Sequence, residues 1–235
     1  LYLLPHISTQ QLLADSGDSA TADEAGSPVV HNVTARVVAI LAQVMIVLGV
    51  VLIGFRHFDS GKTGIAAATL YLMLPYTALW TGSVTHALPG ALLVWAVLAY
   101  RRPLLAGMLI GLAFGTIYYP LFLLPLWLSF YWRRGLYRFL TGMLATIVAL
   151  VLTLVFTSAD FAMFAERMQQ MFGIRFPLSE GLSGAWQYWN EVYRYPILAG
   201  FVFLSLSFAV WPAQKNLGSL ISLSAALMLG TQFWH

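Results

Sequence analysis

Residues 158–195 form a long polar segment whose aromatic and charged side chains have the types and spacing needed to bind a sugar. Trp186, Trp189 and Tyr193 recur at intervals of three and four residues and would share one face of a short helix. Aromatic faces offer stacking surfaces, while Glu191 and Arg194 would contact hydroxyl groups or a phosphate. The same pattern fits an aromatic belt that anchors the segment at the lipid headgroups. Periodicity favours neither interpretation, and both stay open.

His86 is a second candidate, because an imidazole titrates near neutral pH. It would contact an anionic headgroup or relay a proton, or simply form an ordinary hydrogen bond. No second His or carboxylate lies at metal-ligand spacing and the chain has no Cys, so we predict no histidine-built metal site. Ser60-Gly61-Lys62-Thr63 resembles the end of a phosphate-binding loop, but Arg56 occupies the position of its first glycine. A turn is therefore predicted there.

The elements that must position these residues lie in a membrane. Of the 235 residues, 60% are hydrophobic and only 9% are charged, and the mean hydropathy is +0.78. Soluble domains are roughly 45–50% apolar and about 25% charged. This composition excludes a soluble enzyme, a disordered region and a nucleic-acid-binding module. It predicts an all-α, polytopic transmembrane helical bundle.

Seven apolar runs provide the helices of this bundle. They cover residues 37–55, 64–80, 87–100, 104–132, 139–157, 196–211 and 217–234. The run 104–132 is too long for one span, which needs about 20 residues, and Tyr118-Tyr119-Pro120 interrupts it. We therefore expect a hairpin of two half-helices that turns inside the membrane and lines a cavity.

The same runs divide the chain into four segments. We predict an extracytoplasmic polar loop at residues 1–35, followed by transmembrane helices, including the hairpin, at residues 36–157. An extracytoplasmic amphipathic helical loop is predicted at residues 158–195, and two further transmembrane helices, truncated, at residues 196–235. The chain starts at Leu1 and stops directly after an apolar run, so we expect it to be an internal piece of a longer protein.

The distribution of charge predicts an orientation. Eight of the twelve Lys and Arg residues lie in the loops 56–63, 101–103, 133–138 and 212–216. Basic loops face the cytoplasm, and eight of the nine acidic residues then lie on the other side. The expected location is the plasma (inner) membrane, with multiple passes. The spans carry essentially no ionisable side chain, which argues against an ion-coupled transporter.

One stretch, Tyr71–Gly142, carries a family resemblance. It has a polar outer turn ending at His86, an Ala106-Gly107-x-x-x-Gly111 run, a break ending in Pro120 and a basic turn. In these features it resembles the bacterial polytopic GT-C glycosyltransferases, particularly the polyprenol-phosphate-mannose-dependent group (glycosyltransferase family 87). That group often has a Lys shortly before the proline, whereas this chain has Ile117, Tyr118 and Tyr119.

The resemblance implies an enzyme that transfers a hexose, in particular mannose, from a polyprenyl phosphate to an extracytoplasmic glycan or lipid acceptor. It implies that His86, Tyr118 and Tyr119 line the cavity, with Trp186, Trp189, Glu191 and Arg194 as outer-loop contacts. The catalytic acid of such enzymes lies in the first outer loop, which we expect upstream of Leu1. No cofactor is expected beyond the lipid-linked sugar, and the need for a divalent metal stays open.

Two alternatives remain beside the enzyme. One is a non-enzymatic transporter or flippase for a lipid-linked glycan, which would need polar residues along a path through the helices. The other is a degenerate relative with only a scaffold role, which is favoured by the absence of the lysine before Pro120.

Overall fold

A computed structural model describes residues 26–75, 77, 84–158, 164 and 191–231, of which 26–35, 84–86, 191 and 194 are described by their backbone alone. Every regular element in these residues is a helix, so the all-α prediction is confirmed. In chain order they are α1 (Gly26–His57), α2 (Gly61–Met73), α3 (Val84–Leu98), α4 (Pro103–Thr116), a 3₁₀ turn (Tyr119–Leu123), α5 (Leu124–Tyr131), α6 (Leu136–Thr157), a second 3₁₀ turn (Glu191–Tyr193), α7 (Arg194–Val210) and α8 (Leu217–Gly230).

Two of these helices are long and apolar enough to cross a membrane. The stretches Arg36–His57 and Leu136–Thr157 each contain 22 residues, which corresponds to about 33 Å of helix against a hydrocarbon core of about 30 Å. Most residues in their apolar windows lie on the surface rather than in a core; Phe156, for example, is 85% exposed. Apolar helices that face outward need apolar surroundings, which a lipid bilayer provides.

The first three helices form one packed unit. Ser60 caps the start of α2, because its side chain accepts a hydrogen bond from the backbone N–H of Thr63 at 3.3 Å. The turn predicted over these four residues is therefore wrong in part: the chain bends before Ser60, and Gly61, Lys62 and Thr63 already belong to the first turn of α2. Gly54 and Gly64 lie against each other and bring α2 close to α1. Helix α3 packs on α1 with Gly90 against Ile46 and Val94 against Gly49. Residue numbers rise in the same direction along both helices, so α1 and α3 are parallel.

Glycines also bring α4 and α6 together. A Cβ on Gly107 would overlap the carbonyl oxygen of Phe139, and one on Gly142 would overlap that of Leu104. A Cβ on Gly111 would lie 3.0 Å from the carbonyl oxygen of Met143. Small residues at a spacing of four let two helices approach closely, and here they bring α4 against α6, outside the hairpin, with the two helices parallel.

Between these two parallel helices the chain turns back inside the bundle. Ile117 has extended backbone dihedrals and ends α4. Pro120 disfavours helical backbone in the residue before it and lacks an N–H group, so α4 cannot continue. The 3₁₀ turn and α5 then bring the chain back to the start of α4, where the Tyr131 hydroxyl donates to the carbonyl oxygen of Tyr100 at 2.7 Å.

The last two helices pack on this returning segment. The Ser205 hydroxyl of α7 donates to the carbonyl oxygen of Phe122 at 2.6 Å. In α5, Trp127 Nε1 donates to Ser224 Oγ of α8 at 3.2 Å. The largest core cluster joins the α3–α6 region to α7 and α8, with Trp127, Tyr131 and Phe139 buried at its centre.

The helix bounds differ from the predicted runs in detail. The described helix α2 ends at Met73, short of the predicted limit at 80, and α6 begins at Leu136 rather than 139. Helix α1 begins at Gly26, inside the segment predicted as a polar loop. The amphipathic helix predicted after residue 157 lies almost entirely outside the described residues.

Candidate functional site

The main cavity is a groove of about 1010 Å³ that separates the first three helices from the returning half of the hairpin and α8. Helices α1, α2 and α3 form one wall, while the hairpin turn, α5 and α8 form the other. Along α8 the lining extends from Gly218 to Leu229, which corresponds to about 16 Å. The groove is therefore elongated along the helix axes.

The groove is lined almost entirely by apolar atoms. No Asp, Glu, Lys, Arg or His of the described residues lines it. Its polar side chains are hydroxyl-bearing, namely Thr63, Tyr71, Tyr119, Ser222 and Ser224. Ser224 accepts the indole hydrogen bond of Trp127. The groove can thus bind a long apolar chain, but its described lining offers no charged acid or base.

Tyr119 joins the groove to the hairpin turn. Its side chain is only 3% exposed and lines the groove next to Ile117. The neighbouring ring of Tyr118 lies 4.4 Å away, centroid to centroid, with an angle of 51° between the planes. The structure thus brings together the two tyrosines that were predicted as cavity residues, and places Tyr119 on the wall itself.

The depth of this turn follows from its contact with α7. Phe122 accepts the hydrogen bond from Ser205, which lies about eleven residues after Arg194. At 1.5 Å per residue the start of α7 is about 16 Å beyond the level of the turn. The two tyrosines therefore lie within the helical bundle, well below the end where α7 begins.

His86 is described by its backbone alone, in the first turn of α3. It precedes Pro89 and Gly90, which line the groove, by three and four residues. Positions with this spacing share one face of a helix. His86 is thus placed in the register of the groove-facing side of α3, at the end of the groove away from the basic loops.

The four predicted outer-loop residues are described only in part. Trp186 and Trp189 lie outside the described residues. The backbone of Glu191 opens the second 3₁₀ turn, and that of Arg194 opens α7. Their predicted role as outer-loop contacts stays a prediction.

Sequence reasoning missed one polar pair beside the groove. The Tyr71 hydroxyl donates to Gln43 Oε1 at 2.6 Å, and Tyr71 lines the groove. A signal for it existed, because Gln43 is a lone amide within the long apolar span of α1 and such a group needs a partner.

His57, at the end of α1, is a second polar residue that forms a contact between helices. Its Nε2 lies 3.1 Å from the carbonyl oxygen of Leu98, and its ring meets that of Tyr100 edge-on at 4.9 Å. It therefore ties the end of α1 to the end of α3.

The described part of the chain contains no cluster of three or more His, Asp or Glu side chains that could hold a metal ion.

Comparison with known proteins gives one family. The profile of glycosyltransferase family 87 matches residues 28–190, which is more than half of the chain and includes α1 to α6 with the hairpin. No curated protein and no solved structure matches the chain significantly.

Proposed function

The chain belongs to glycosyltransferase family 87, and from this premise we propose that it transfers a hexose, in particular mannose, from a polyprenyl phosphate to an extracytoplasmic acceptor. The family makes it a glycosyltransferase associated with a membrane. The proposal goes beyond the family in four points, which are the donor, the sugar, the acceptor and a multi-pass position in the plasma membrane.

The observation that supports a lipid-linked donor is the apolar groove. A sugar nucleotide carries several charges, and the described lining has no cation to pair with them. A polyprenyl chain carries none, and it can fill such a groove by close packing, in which each pair of contacting atoms contributes about 0.1–0.2 kcal/mol. Exposed residues of α2 and α8, such as Ala67 and Ala225, form the rims of the groove, so that a lipid chain can reach it from the side.

Tyr119 is the polar group best placed to meet the donor's headgroup. In the proposed reaction, the acceptor hydroxyl oxygen forms a bond with the sugar's anomeric carbon while the bond from that carbon to the phosphate oxygen breaks. The polyprenyl phosphate leaves with the electron pair, and a carboxylate of the outer side takes the hydroxyl proton. A tyrosine hydroxyl that donates to a phosphate oxygen stabilises the charge that develops there.

Tyr119→Phe removes this hydroxyl and keeps the ring. We expect kcat/KM for sugar transfer to fall about 10- to 100-fold, which corresponds to one lost hydrogen bond to a charged oxygen. The assay uses membranes that contain the full-length protein, with radiolabelled polyprenyl-phosphate mannose and extracted acceptors. Tyr137→Phe is the matched control, because Tyr137 is 84% exposed and lies at the far end of the molecule. Equal activity of both variants would remove Tyr119 from the site.

The groove itself is tested by a pair of adjacent alanines in α8. Ala225 lines the groove and Ala226 does not, although both are exposed. Ala225→Phe should fill part of the groove and raise KM for the lipid donor at least tenfold, whereas Ala226→Phe should leave KM unchanged. If both variants use the donor like the unmodified protein, the lipid chain does not occupy this groove.

A flippase or transporter for a lipid-linked glycan is the second candidate. The observation in its favour is the length of the groove, which reaches from Thr63 near the basic loops to Leu74 and Pro89 at the other end. Such a protein would move a fluorescent lipid-linked sugar between the leaflets of a vesicle without forming a new glycosidic bond. Transfer without such movement would exclude it.

A further inference from the structure

Basic side chains form an exposed patch at one end of the bundle, remote from the outer ends of α3 and α7. Seven Lys and Arg residues at this end are exposed, namely Arg56, Lys62, Arg101, Arg102, Arg133, Arg134 and Arg138. Asp59 is the one acidic residue that the structure describes among these loops. With seven cations against this one carboxylate, the described part of the patch carries a net positive charge.

Three loops are held together to form this patch. His57 links the α1–α2 loop to the end of α3 through Leu98 and Tyr100. Tyr131 then links Tyr100 to the end of α5. The basic residues of these loops are thus fixed on one surface by contacts beneath them.

Two of the arginines are held against aromatic rings. The Arg101 guanidinium lies 5.7 Å from the ring centroid of Tyr100, and its Nε donates to the Tyr100 hydroxyl at 3.1 Å. The guanidinium of Arg134 lies 5.0 Å from the ring centroid of Phe130. The two rings contact each other, with centroids 6.3 Å apart. Both guanidiniums therefore belong to one aromatic cluster.

We propose that Arg101 and Arg134 form a binding site for the phosphate headgroup of an anionic phospholipid. Guanidinium groups donate two parallel hydrogen bonds to phosphate oxygens. A guanidinium already held over a ring loses less side-chain freedom when it binds than a freely moving one. The site rests on the proposed membrane location, but it is separate from the groove, whose lining includes neither arginine.

The test compares two double variants of equal net charge. Arg101→Ala/Arg134→Ala removes the ring-held pair, whereas Arg102→Ala/Arg138→Ala removes two exposed arginines of the same patch. The full chain is purified in a neutral detergent and titrated with phosphatidylglycerol, and bound lipid is measured by native mass spectrometry. In a neutral detergent an arginine contributes only where it contacts the bound lipid, and each arginine that does so contributes about fivefold in affinity. We therefore expect about 25-fold weaker binding for the first variant and less than about threefold for the second.

A third variant separates charge from geometry. Arg101→Lys/Arg134→Lys keeps both charges and loses the planar, two-pronged donor, so binding should fall about fivefold. Diacylglycerol, which has the acyl chains but no phosphate, should bind all variants equally. Tyr119→Phe should retain phosphatidylglycerol fully, so that failure of the proposed enzymatic function leaves this result unaffected.

Three outcomes would overturn the proposal. Equal losses in the two alanine variants would mean attraction by the overall charge of the patch. An equal loss of diacylglycerol, which lacks a phosphate, would mean a change in the apolar surface. Displacement of phosphatidylglycerol by millimolar inorganic phosphate would make the site one for soluble anions.

Discussion

Single polar side chains inside this apolar bundle fasten one helix to another. Tyr131, Ser205 and Trp127 each donate a hydrogen bond across a helix boundary. In surroundings without water a polar group that lacks a partner costs several kcal/mol. Each of these bonds therefore also selects the one packing arrangement in which it can form.

Lys215 performs a similar task at the end of α7. Its Nζ donates to the carbonyl oxygens of Ala209 and Pro212 at 3.0 and 2.9 Å, which satisfies groups that the end of a helix leaves without partners. Burial lowers the pKa of this ammonium group below its ordinary value, because desolvation disfavours the charged form. The gain from the two hydrogen bonds is thus partly offset.

Lys215→Met should lower the free energy of unfolding by about 1–2 kcal/mol, less than two undiminished bonds to a charged group would give. The measurement is thermal unfolding of the purified protein in detergent. Lys62, the other lysine of the chain, is exposed, and Lys62→Met is the matched control with little expected effect. A drop of equal size in both variants would show that the loss of charge, rather than the helix end, is responsible.

At this scale the sequence predicted some partners of the groove and missed others. Tyr119 could be predicted because it adjoins the proline that ends α4, and a helix break is visible in sequence. The Gln43–Tyr71 pair could not, since it depends on the crossing point of two helices whose relative height no local pattern defines. The same applies to His57, whose partner is 41 residues away along the chain.

Among the elements, the α4–α6 pair shows how glycine determines a helix interface. Without side chains at Gly107 and Gly142 the two backbones contact each other directly, an arrangement common between membrane helices. The glycine run in α4 has the spacing that permits a close approach of two helices. The sequence does not identify α6 as the partner, because Gly142 is a single glycine with no repeat around it.

Gly107→Ala should destabilise the protein by about 1–3 kcal/mol, since the new methyl group overlaps the carbonyl oxygen of Phe139 and the helices must separate. Gly200→Ala is the control in α7, where a Cβ would have no atom within 4 Å. It should leave stability unchanged or raise it by up to about 1 kcal/mol through helix propensity. Thermal unfolding of both variants decides the point, and an unaffected Gly107→Ala would contradict the observed interface.

For the whole molecule the orientation across the membrane is directly testable, because the natural sequence has no cysteine. Asp59→Cys places a thiol among the basic loops, and Val192→Cys places one before α7; both positions are exposed. A membrane-impermeant maleimide should label Val192→Cys in intact cells and Asp59→Cys only after the membrane is opened. Labelling of both positions from outside would contradict the predicted arrangement.

Composition predicted a membrane protein, and apolar length predicted where its helices lie, because both reflect transfer from water and need no knowledge of contacts. The groove could not be predicted in this way. Its walls come from α1–α3 and from α5 and α8, and apolar runs do not record which other run they will meet.

The two walls of the groove come from segments that the ribosome synthesises at different times. Ribosomes add about 5–20 residues per second, so roughly 10 s separate the synthesis of Val97 from that of Gly218. During that interval α1 to α3 are complete while the wall that α8 supplies does not yet exist. A nascent chain therefore has only one wall of this binding site, and a lipid ligand can be held in the groove only after α8 has been made and packed against Trp127.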